Sequence, residues 1–107
     1  MQKILVNLNE QLVREKSALS LDEVLALVNE WPADATCATQ ESDGEVLYWD
    51  APVEVVEQAR LRAGTGDMIR EVGLASQIHA TYLDHDSPVL AHDWTTAVCS
   101  NPLHSRA

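Results

Sequence analysis

The chain contains no phenylalanine, two cysteines, four glycines and four prolines among its 107 residues. Two thiols, Cys37 and Cys99, make at most one disulfide, so a disulfide framework is excluded, and their spacing matches no Cys-x-x-Cys zinc or redox motif. The expectation is a pair of half-buried free thiols in a reducing cytosol, packed as small hydrophobes. Gly and Pro are spread singly, so the sequence shows no flexible linker, repeat or low-complexity tract. The apolar run in the first ten residues is short and interrupted, unlike a signal peptide, and no window approaches the roughly 20 apolar residues of a membrane span. A cytoplasmic protein forming one compact acidic domain over residues 1–107 is expected, from a bacterial or phage-infected host cell.

Positive charge is the larger absence. From Ser17 to Ala59 there is no Lys or Arg, while Asp22, Glu23, Glu30, Asp34, Glu41, Asp43, Glu45, Asp50, Glu54 and Glu57 all fall there. The whole chain carries seven basic against seventeen acidic residues, a formal net charge of -10, and outside this segment the signs balance. Such a charge argues against direct contact with nucleic-acid phosphates, which need clustered Lys and Arg. It disfavours an anionic membrane surface for the same reason. With 46% hydrophobic and 22% charged residues the chain is nonetheless an ordinary globular composition.

Ser20-Leu21-Asp22-Glu23 reads as a capping box, followed by Leu21, Val24, Leu25, Val28 and Trp31 on one helical face and Pro32 as a stop. Residues 3–17 fit a helix through Leu5, Leu8 and Leu12, although Ile4, Val6 and Leu8 also alternate as a strand would. Asp43-Gly44 between two β-compatible runs signals a hairpin. As a two-residue loop it pairs Ala38 with Trp49 and Gln40 with Leu47 on a core-like side. Thr39 and Tyr48 then share a wet, acidic side with Glu41 and Asp50. Asp50-Ala51-Pro52-Val53 opens a helix that Gly64 ends, with Val55, Val56, Ala59 and Ala63 as its buried stripe. Asp67 is a further cap, for a helix aligning Leu74, Ala75, Ile78 and Tyr82. Residues 87–98 suit either a helix or a strand. The fold class is α+β, a small helix-rich domain with one antiparallel hairpin or small sheet.

No motif names an activity. His79, His85, His92 and His104 crowd the C-terminal third, two of them beside acids in Asp84-His85-Asp86 and His92-Asp93. Imidazoles and carboxylates ligate metals, but sequence neighbours point to different sides of an element, so the run is not itself a chelate. No Gly-x-Ser-x-Gly elbow supports a Ser-His-Asp triad, and Gly64-Thr65-Gly66-Asp67 lacks the rest of a phosphate loop. Neither a catalytic residue, a metal ligand nor a cofactor is assigned.

The leading expectation is a non-enzymatic inhibitor or regulator whose acidic face docks a basic protein surface, as a nucleic-acid mimic would against a nucleic-acid-binding protein. Trp31, Tyr48 and Trp49 supply anchors and Asp22, Glu23, Glu30, Glu41, Asp43, Glu45, Asp50, Glu54 and Glu57 the charge. In general type this looks like the small acidic inhibitors that phages and bacteria direct at nucleases, CRISPR effectors or toxins, an analogy of charge and size without a shared motif. The alternatives are a small metal-dependent or acid–base enzyme built on the C-terminal His/Asp cluster, and a homo-oligomeric accessory protein pairing as a homodimer.

Overall fold

The computed structural model describes residues 15–103, and they form an α+β fold with three α-helices and a four-stranded antiparallel sheet. In chain order the elements are α1 (Leu21–Val28), β1 (Cys37–Gln40), β2 (Val46–Trp49), α2 (Val53–Ala63), α3 (Met68–Val72), a 3-10 turn (Leu74–Ser76), β3 (Gln77–Thr81) and β4 (Cys99–Ser100). The strands lie in the order β3-β2-β1-β4.

The two central strands are buried on both sides, and this decides the layering. Ala38, Val46 and Tyr48 meet Leu21, Val24 and Leu25 of α1 together with Leu90, Ala91 and Trp94 of the β3–β4 connection. Cys37, Leu47 and Trp49 meet Val56 and Ala59 of α2 and Met68 of α3 on the other side. Successive side chains of a strand point to opposite faces, so four consecutive buried positions in each of β1 and β2 require a cover on both faces.

α1 forms as its sequence directs. Ser20 Oγ accepts from the Glu23 N–H and Glu23 Oε1 accepts from the Ser20 N–H, closing the capping box. Asp93 Oδ1 takes the Leu21 N–H at 2.9 Å, so the helix start is held by a distant segment as well. The helix ends at Val28, earlier than Pro32 suggested. Asn29 adopts the left-handed conformation at φ 53° and its N–H bonds Leu25 O, a C-cap that turns the chain before proline is reached.

The hairpin differs from its expected register by one residue. Cys37 faces Trp49, Ala38 faces Tyr48 and Thr39 faces Leu47. The Gly44 N–H bonds Glu41 O at 2.9 Å and Glu41 N–H bonds Glu45 O, so the loop is Ser42-Asp43-Gly44, three residues with Gly44 at φ 96°. A one-residue slip sends each strand side chain against a different partner. Tyr48 and Thr39 therefore face no wet acidic side; both are fully buried.

Further along, α2 stops at Gly64 as expected, but Pro52 occupies the N-cap position and Asp50 caps nothing there. Its buried stripe is Val56, Ala59 and Arg60, while Val55 is exposed. α3 opens on the expected cap, Asp67 accepting from Ile69 N–H at 2.9 Å, but Gly73 at φ 116° ends it. The aligned Leu74, Ala75, Ile78 and Tyr82 are thus not one helix. Ile78 and its neighbours are strand β3 against β2. Residues 87–98 are mostly irregular, with Leu90 in a single parallel bridge to Lys16. Of the helix expected over residues 3–17, only 15–17 lie within the described residues, and these are extended beside Leu90, not helical.

Two polar side chains hold the irregular half. Gln40, fully buried, donates from Nε2 to Gly44 O and Val89 O and accepts the Ala91 N–H, at 2.7–2.9 Å. β4 pairs only with Cys37 and Ala38, so Gln40 has a strand neighbour on the β2 side, Val46, and none on the β4 side. Arg60 Nη1 donates to the Gln40 carbonyl at 3.1 Å and Nη2 donates to Gly64 O, while the guanidinium lies 5.4 Å from the Trp94 ring centre. A buried arginine so used satisfies the open strand edge.

Candidate functional site

Folding redistributes the acid-rich segment. α1, bearing Asp22 and Glu23, covers one face of the sheet, and α2, bearing Glu54 and Glu57, covers the other. Asp43 and Glu45 lie at the hairpin tip, and Asp50 leaves β2 at the opposite end. The carboxylates contiguous in sequence therefore surround the sheet and do not share one face.

Three of the expected contact residues are interior. Tyr48 and Trp49 are 0% exposed and Glu41 is 7% exposed. Trp49 spans the α2 side of the sheet, its indole N–H donating to Thr39 Oγ1 at 2.9 Å. These side chains build the core and present no contact surface. Asp22, Glu23, Glu30, Asp43, Asp50, Glu54 and Glu57 are exposed, and Glu45 is half-buried.

Burial makes the hairpin tip electrostatically unusual. Loss of water pushes the Glu41 carboxyl up to about 7; the Met68 N–H opposes the change, Asp67 adds to it, and Arg60 and Asp43 act in opposite directions. Glu45 is raised for the same first reason, with Asp43 adding to it. Asp43 accepts the Tyr82 hydroxyl at 3.0 Å and the Glu45 N–H at 3.0 Å. Burial, the bond to Asp43 and the neighbouring acids push the Tyr82 hydroxyl up to about 12. Tyr82 also meets His85 edge-on at 5.3 Å, so the Asp84-His85-Asp86 loop adjoins this tip.

The second concentration of functional groups is around Trp31, half-buried just after α1. Glu30, Trp31, Pro32, Ile78 and His79 border an open surface hollow of about 330 Å³. On the other side of Trp31, a hollow of about 190 Å³ is bounded by Asp22, Leu25, Ala26, Ser100 and Pro102. Glu30 Oε2 lies 3.3 Å from His79 Nε2. Behind the larger hollow stands Tyr48, edge-on to Trp31 at 5.2 Å and tilted against His79 at 5.4 Å. Its hydroxyl is buried without a hydrogen-bond partner, and burial, reinforced by Glu30, pushes it up to about 12.

Ile78 and His79 were missed as partners of Trp31. The available signal was the β-compatible run Gln77-Ile78-His79-Ala80-Thr81, which helical spacing of Leu74, Ala75 and Ile78 obscured.

The C-terminal histidines do not converge. His85 sits beside Tyr82 at the hairpin-tip end, whereas the His92 N–H bonds Leu19 O near the start of α1. His104 lies outside the described residues. Among the described residues no group of three or more His, Cys, Asp or Glu is arranged to hold a metal ion. Nor is any helix there long and apolar enough to cross a membrane.

No protein-family model, curated protein or solved structure matches the chain.

Proposed function

We propose that this α+β protein is a non-enzymatic binding module that docks a basic protein surface, of the kind that otherwise holds nucleic acid, and thereby inhibits or regulates its partner in the cell interior. One observation carries this reading. Among the described residues Arg62 pairs with Glu71 and the His79 imidazole lies beside Glu30, and the exposed Asp22, Glu23, Asp43, Asp50, Glu54 and Glu57 have no Lys or Arg partner there. Unpaired carboxylates on a packed scaffold repel one another, and a basic partner relieves that repulsion while accelerating encounter. Their spread over both helices favours a partner with a concave or channel-shaped basic surface over a flat one.

The test is competition. A partner captured from host extract at low salt is purified, and its binding to a DNA duplex or to RNA is titrated with this protein. Displacement of nucleic acid by the wild type, weakened when Asp22, Glu23, Glu54 and Glu57 together become Asn or Gln, supports the reading. Equal binding by that variant refutes it.

A further inference from the structure

Resting on that reading, we propose that the hollow bounded by Glu30, Trp31, Pro32, Ile78 and His79 is a receptor for one arginine side chain of the basic partner.

Four features of the hollow suit a guanidinium. Its volume of about 330 Å³ admits a long side chain while remaining open to the surface. Trp31 offers an indole, the ring that attracts a cation most strongly, and its orientation is fixed by the edge-on contact with Tyr48. Glu30 supplies the counter-charge: its Oε2 faces His79 and the other oxygen has no hydrogen-bond partner among the described residues. Among the described residues no Lys or Arg lines the hollow, and the carboxylate's partner there is an imidazole.

Behind two of its walls, Tyr48, 0% exposed, packs edge-on to Trp31 and tilted against His79, so both rings are held by the core. A guanidinium carries five N–H donors in a plane, enough to engage Glu30 while stacking on Trp31. A lysine ammonium supplies the charge but neither the flat face nor the fork. Charge complementarity and aromatic walls thus select arginine over other occupants.

The experiment is an NMR titration of the full chain with acetyl-Gly-Arg-Gly-amide, alongside the same peptide carrying citrulline, the uncharged isostere of arginine, or lysine. Saturable shifts at the Trp31 indole, Ile78 and His79 are expected with arginine, weaker ones with lysine and none with citrulline. Glu30→Gln, an exposed position, is expected to raise the half-saturating concentration about fivefold or more, the loss of one charge-assisted contact. Asp86→Asn, exposed and away from the hollow, is expected to leave it unchanged. Citrulline or lysine acting as well as arginine, indifference to Glu30→Gln, or shifts spread evenly over Asp43, Glu54 and Glu57 would overturn the proposal. If those results came with intact competition against nucleic acid, only the arginine receptor would fall and the docking reading would stand.

Discussion

Replacing Glu41 by Gln separates the charge of the hairpin tip from its shape. In the unfolded chain Glu41 gives up its proton near its ordinary value of 4.5, whereas in the folded protein it holds it up to about 7. Between those values the folded state binds the extra proton, so stability is greatest at the acid end and falls as pH rises. At about 1.4 kcal/mol per pH unit, the full penalty above pH 7 is about 3 kcal/mol. Gln has the shape of the protonated acid and can still accept the Met68 N–H that Glu41 Oε2 accepts at 3.4 Å. Urea unfolding of both proteins from pH 4 to 8.5 is therefore expected to give nearly equal stabilities near pH 4. The variant is expected to gain about 2–3 kcal/mol by pH 8. A wild-type-to-variant difference that does not change with pH would refute the burial of this charge.

Three other perturbations probe the packing. Gln40→Leu removes three buried hydrogen bonds and strands two carbonyls and an N–H, and is expected to cost about 3 kcal/mol or more in urea unfolding. Gly44→Ala places a Cβ 2.9 Å from the Pro88 Cβ at φ 96°, and is expected to destabilise by about 1–2 kcal/mol in the same assay. Cys37, pushed up to about 11 chiefly by burial, and Cys99, raised further for the same main reason, are expected to resist a thiol reagent at pH 8. Both thiols should react fully in denaturant; rapid labelling of the native protein would count against their burial.

Local chemistry was readable wherever a side chain acts within a few residues of itself. The Ser20–Glu23 box and the Asp67 cap rest on bonds spanning four residues or fewer, the Gly64 stop on the positive φ of a single glycine, and each forms. The hairpin register was misread because Asp43-Gly44 fits either a two- or a three-residue loop. The choice fell to long-range packing, in which Tyr48 and Trp49 each need a covered face. Helical spacing over Leu74–Tyr82 lost to pairing with β2, a partner some thirty residues away. For the candidate site, Glu30 and Trp31 were legible as an acid beside an aromatic anchor, but the walls supplied by Ile78 and His79 depend on β3 lying beside β2. Charge in sequence proved a poor guide to charge in space: one acidic segment became two helix surfaces, a hairpin tip and a strand end.

The most direct measurement of electrostatic docking is the dissociation constant for the purified partner as salt rises from about 50 to 200 mM. Docking through unpaired carboxylates predicts a steep, log-linear loss of affinity, with a shallower slope when Asp22, Glu23, Glu54 and Glu57 are neutralised. An affinity indifferent to salt, or an unchanged slope in that variant, would contradict it.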